Sequence, residues 1–167
     1  YPAIVSTWVF ESGPLAASAP YTASQVGSQL SGGFVGGENQ DDESGFSGAI
    51  LGDVNGDGVA DWVTGAPNAN DGANVDAGIV RLVLELSGRT LLSLQYRGEA
   101  ALDFAGKAVA SGGDLNGDGK ADFLIGAPFN DSNGANAGAA YLVFGNNELD
   151  ETAPASFSLG DLAGCAA

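Results

Sequence analysis

Two short stretches concentrate the side chains that can do chemistry. Asp53-Val54-Asn55-Gly56-Asp57-Gly58-Val59-Ala60-Asp61 carries oxygen-bearing side chains at positions 1, 3, 5 and 9. Asp114-Leu115-Asn116-Gly117-Asp118-Gly119-Lys120-Ala121-Asp122 repeats the pattern 61 residues further on. Each stretch gathers three carboxylates, and like charges about 4 Å apart repel by roughly 1–4 kcal/mol per pair at effective dielectrics of 80 to 20. A hard cation relieves that repulsion, and Ca²⁺ takes about six to eight oxygens at roughly 2.3–2.6 Å. Alternate positions of a tight loop can point inward together, and glycine at position 6 allows the turn. Position 7 supplies only its backbone carbonyl, which leaves Val59 and Lys120 free to differ. Cation binding is the chemistry these residues suit. The competing reading is an aspartate-rich turn cluster with no metal.

Loops of this kind need rigid elements on either side, and the residues after position 9 say which. An EF-hand requires glutamate at position 12 and flanking helices; here position 12 is Thr64 in one copy and Ile125 in the other. Trp62-Val63 and Phe123-Leu124-Ile125 have the β-branched and aromatic character of half-buried strands, and both runs end in Gly-Ala-Pro. Residues 52–67 and 113–128 agree at every glycine and aspartate. In the first copy strands are predicted over Gly48–Leu51, Asp61–Thr64, Ile79–Leu86 and Thr90–Tyr96. In the second they are predicted over Lys107–Ser111, Asp122–Ile125, Ala139–Phe144 and Ser156–Leu159. Glycine-marked turns interrupt every run before a helix can form, and four short strands in about 60 residues is the size of one propeller blade. Upstream, Gly45-Phe46-Ser47-Gly48 resembles Asp103-Phe104-Ala105-Gly106 at a spacing three residues shorter than that of the loops.

The aspartate loops, the Phe-x-Gly lead-ins and the closing Gly-Ala-Pro resemble FG-GAP repeats, the blades of integrin α-subunit propellers, found also in secreted bacterial proteins. The resemblance covers residues 45–145, and the 156–164 stretch is similar to the lead-in to another repeat. It implies an all-β fold of two four-stranded propeller-type blades with an irregular N-terminal β segment. It also implies calcium in the hairpin loop between the first and second strands of each blade. The implied ligands are Asp53, Asn55, Asp57, the Val59 carbonyl and Asp61, and in the second loop Asp114, Asn116, Asp118, the Lys120 carbonyl and Asp122. The expected division is an N-terminal strand-and-loop segment over 1–44, a cap or assembly arm containing the strand candidate Ile4–Phe10. Repeats over 45–102 and 103–167 follow.

Composition narrows the function. Five basic residues stand against 21 acidic ones, a net charge of −16, which argues against nucleic acid and anionic membrane surfaces. No run approaches the roughly 18 apolar residues of a membrane span. Histidine is absent and no Gly-x-Ser-x-Gly or phosphate-binding loop occurs, so no constellation for catalysis is present. A lone Cys165 excludes an internal disulfide. Asn130-Asp131-Ser132 is a glycosylation sequon in a turn. Trp8 and Trp62 suit a core on strands, or a carbohydrate platform.

A closed seven-bladed ring needs roughly 420 residues, and 167 are present. Two blades leave exposed sheet faces and edges. The expectation is a non-enzymatic, secreted calcium-binding structural or adhesion module that assembles with copies of itself or with further blades. Its ligand would be an extracellular protein or carbohydrate. The alternatives are a piece of a larger adhesin propeller, or an accessory domain of a secreted hydrolase.

Overall fold

A computed structural model describes residues 35–85, 91–150, 153 and 156–162. The strand candidate Ile4–Phe10, Trp8, Cys165 and most of the 1–44 segment lie outside the described residues. Eight strands are present among them: β1 (Ser47–Gly52), β2 (Asp61–Ala66), β3 (Ile79–Glu85), β4 (Leu91–Arg97), β5 (Ala108–Gly113), β6 (Asp122–Ala127), β7 (Ala139–Val143) and β8 (Ser156–Ser158). A 3-10 turn, Leu159–Leu162, follows the last.

The strands form two open sheets, ordered β1-β2-β3-β4-β8 and β5-β6-β7. Consecutive strands pair antiparallel, as hairpins between neighbouring strands dictate, whereas β8 joins β4 in parallel. The fold is therefore all-β and propeller-like, but five strands and three replace the expected four and four. The cause is the apolar content of the last segment. Phe157 stacks on Tyr96 with ring centroids 5.2 Å apart, and Leu159 is fully buried in the core. Burial of that kind is worth about 1.5–3 kcal/mol per large apolar side chain, more than a three-residue strand gains from pairing at the β7 edge.

The core lies between the sheets. Val63, Val80, Leu82, Leu84, Leu94 and Tyr96 face Phe123, Ile125 and Val143 across it. On the far face of the first sheet Arg81 is buried, its guanidinium donating to the Gly36 carbonyl and, at 2.9 Å, to Glu38. Gln95 donates to the same Glu38 carboxylate at 2.8 Å.

The repeat has a constant spacing in space. Gly45 donates to the Gly65 carbonyl at 3.0 Å as Gly106 does to that of Gly126. Phe46 donates to Glu43 as Lys107 does to Phe104. Asp41, Glu43 and Gly45 have φ of 66°, 56° and 89°; Leu102, Phe104 and Gly106 have 67°, 54° and 84°. Asp42 accepts the Asn39 N–H and Asp103 that of Ala100. The counterpart of Phe104 is therefore Glu43, not Phe46, and the first copy lacks nothing before its aspartate loop. The shared phenylalanines conceal this correspondence, because the turn is specified by backbone conformation and the aspartate before it.

Candidate metal centre

A β-bulge delivers each aspartate loop. The pairing register shifts between Ile50 and Gly52, and again between Ser111 and Gly113. Both terminal glycines have positive φ, 105° and 68°. A bulge with glycine in a left-handed conformation bends the strand end and re-aims the next residue, here Asp53 and Asp114.

Inside the first loop the Asp53 carboxylate is the hub. Its Oδ1 accepts the N–H of Gly56 at 2.6 Å and of Asp57 at 3.1 Å, and its Oδ2 that of Gly58 at 2.8 Å. Asn55 Oδ1 accepts from Asp57, and Asp57 Oδ1 from Val59. The second loop repeats each bond: Gly117, Asp118 and Gly119 donate to Asp114, Asp118 donates to Asn116, and Lys120 to Asp118. The Lys120 N–H and the Asn116 amide hold the Asp118 carboxyl below its ordinary range.

Position 9 does something the sequence did not disclose. Asp61 is buried and clamps the loop: its Oδ2 accepts the Val54 N–H at 2.8 Å, and its Oδ1 the N–H of Glu85, at the end of β3, at 3.0 Å. Asp122 does the same for Leu115 and Gly145. Burial pushes Asp61 up to about 6; the Val54 and Glu85 N–H groups oppose that rise, and the Asp57 and Asp53 charges add to it. The strands predicted over Asp61–Thr64 and Asp122–Ile125 start at these aspartates, and that was the available signal for a clamp.

The two loops lie side by side, with the Ala121 N–H donating to the Asp53 carbonyl at 2.7 Å. Among the described residues no three acidic or thiol side chains converge as a preformed cation site. The donor set nevertheless fits a hard dication. It is all oxygen, the Asp61 carboxyl is raised in part by neighbouring anions, and an ionised carboxylate has about four lone-pair positions, so the bonded oxygens keep capacity to ligate. Asp53, Asn55, Asp57 and Val59 with Asp61, and Asp114, Asn116, Asp118 and Lys120 with Asp122, are the residues that would hold it.

The sequon asparagine lies within a polar network. Asn130 is buried, and its Nδ2 donates to Asp103 at 2.9 Å and to the Tyr141 hydroxyl at 3.2 Å. Tyr141 donates in turn to Glu99 at 2.7 Å, and burial, with Glu99 beside it, pushes its hydroxyl above the ordinary range. Trp62 sits half-buried on β2.

Packed sheets joined at bulge-delivered aspartate loops define a propeller-type blade pair. Residues 105–143, from the buried lead-in to the end of β7, match the family model for the FG-GAP repeat. The chain thus carries an FG-GAP repeat. It is also similar to integrin alpha-PS2 of Drosophila melanogaster, 33% identical over 102 residues that cover 56% of this chain and 7% of that relative. The chain spans only that small part of the relative's length.

Proposed function

We propose that the chain is a calcium-stabilised structural and adhesion module of the extracellular space, non-enzymatic, whose blades associate with copies of themselves or with further blades. The observation that carries this reading is the bond-for-bond repetition of the Asp53 and Asp114 hubs. Two loops with different residues at position 7 keep the same oxygens at the same places. Weak sites of about 10⁻⁴–10⁻³ M are sufficient outside cells, and calcium would stiffen the loops where the sheets adjoin. Among the described residues no helix is long and apolar enough to cross a membrane.

Calorimetric titration tests this. Calcium should bind at two sites, and Asp57→Asn or Asp118→Asn should each weaken one of them about tenfold or more, since each keeps the turn-forming acceptor and loses one charge. Chelation should lower Tm. No heat of binding at millimolar calcium would overturn the proposal. A second reading, a portion of a larger cell-surface propeller, is favoured by the small share of integrin alpha-PS2 that the chain matches.

A further inference from the structure

The two aspartate loops repeat bond for bond, but their surroundings differ. The first is walled by the second repeat. Val54 and Asn55 are buried, whereas their counterparts Leu115 and Asn116 are exposed. A methyl added at Gly56 would stand 2.7 Å from Asn147 Oδ1 and 3.4 Å from Lys120 Cε. One added at Gly117, the same place in the second loop, would meet nothing within 4 Å among the described residues. The bond from the Ala121 N–H to the Asp53 carbonyl anchors this wall. Close by, a methyl at Gly145 would stand 2.6 Å from the Val54 carbonyl oxygen and 2.9 Å from Lys120 Cβ. The Lys120 stem therefore starts beside Val54 and ends beside Gly56, running along the first loop.

Position 7 is where the loops differ in charge. Val59 adds none to the first, and Lys120, which belongs to the second by sequence, carries its side chain to the first. One bond past Cε, its ammonium lies at the rim of a loop that holds the Asp53, Asp57 and Asp61 carboxylates. Among the described residues the ion pairs are Arg81–Glu38 and Arg97–Asp71, so Lys120 is not tied to one acid there. Its charge acts instead on the loop as a whole, over a range of about 8 Å at physiological ionic strength. We propose that Lys120 is a tethered counter-cation of the first loop, steadying that loop when no ion is bound and opposing entry of the dication. The second repeat thereby sets the calcium affinity of the first. This rests on the calcium reading above. Coupling of this kind is reciprocal: a charge that favours the ion-free form over the loaded one lowers affinity by the same factor.

Calorimetric titration of the full chain with calcium chloride tests it, in two backgrounds that separate the loops. In the Asp118→Asn chain, whose second loop is weakened, Lys120→Gln should tighten the remaining site about threefold at low ionic strength. That gain should vanish at about 1 M salt, where the screening length is about 3 Å. In the Asp57→Asn chain the same change should do less. Lys120→Arg, which keeps the charge, should leave the affinity of the Asp118→Asn chain where Lys120 sets it. In chelator Lys120→Gln should lower Tm, and saturating calcium should remove most of that difference, which a merely structural role would not do. Unchanged affinity in the Asp118→Asn chain, a larger gain in the Asp57→Asn chain, a gain indifferent to salt, or equal losses of Tm with and without calcium would each overturn the proposal. No heat of binding from the unmodified chain would overturn the calcium reading itself, and this proposal with it.

Discussion

Replacing Gly65 with alanine should lower unfolding free energy by about 3 kcal/mol, the upper part of the range for forcing atoms into a packed site. The added methyl would meet the Gly106 carbonyl oxygen at 2.0 Å and its carbon at 2.8 Å. Backbone oxygens cannot rotate aside, so the second sheet must shift off the first, and the Tyr96–Phe123 edge contact at 5.6 Å shifts with it. Gly65 has no left-handed φ, so the cost is purely one of space. Urea unfolding with an unchanged m-value measures it; a loss below about 0.5 kcal/mol would contradict the packing described. The same change at Gly126, where a methyl's nearest described neighbour is 3.5 Å away, an ordinary van der Waals separation, should cost far less.

Asp61→Ala should be the other large loss. It strands two N–H donors, those of Val54 and Glu85, and a buried unsatisfied donor costs about 1–3 kcal/mol. The wild type should also carry a pH signature in chelator. Asp61 is raised from 3.8 to about 6 in the fold, so the folded state binds this proton more tightly than the unfolded chain does. Stability from this group is therefore fully present below about pH 4 and falls as pH rises through about 6. Asp61→Asn should remove that downward component, visible as the difference between the two urea-midpoint profiles from pH 4 to 7. Parallel profiles would refute the assignment.

Much of the architecture was legible in the residues. The aspartate loops, the strand runs beside them and the repeat itself follow from local chemistry, since glycine, aspartate and β-branched residues act on their own few neighbours. Four features were not. The partner of Ser156–Ser158 is settled by Phe157 meeting Tyr96, a contact across some sixty residues that no local pattern encodes. The clamp role of Asp61 and Asp122 depends on N–H groups at the far end of a hairpin. The true counterpart of Phe104 is Glu43, a residue of opposite character, because the turn needs the φ and not the side chain. The polar group around Asn130 is of the same kind: Glu99 and Asp103 come from the connection between β4 and β5, Asn130 from the turn after β6, and Tyr141 from β7.

The parallel pairing of β8 with β4 has a thermodynamic consequence. The chain leaves the first repeat, builds the second and then returns to stitch itself onto the first at Gln95, Tyr96 and Arg97. In an ordinary linear array each unit can melt alone, with only a neighbour term opposing it. Here the second repeat is a loop closed at both ends on the first, so neither can open without breaking the other's contacts. The pair should behave as one cooperative unit, with a single calorimetric transition whose van't Hoff and measured enthalpies agree.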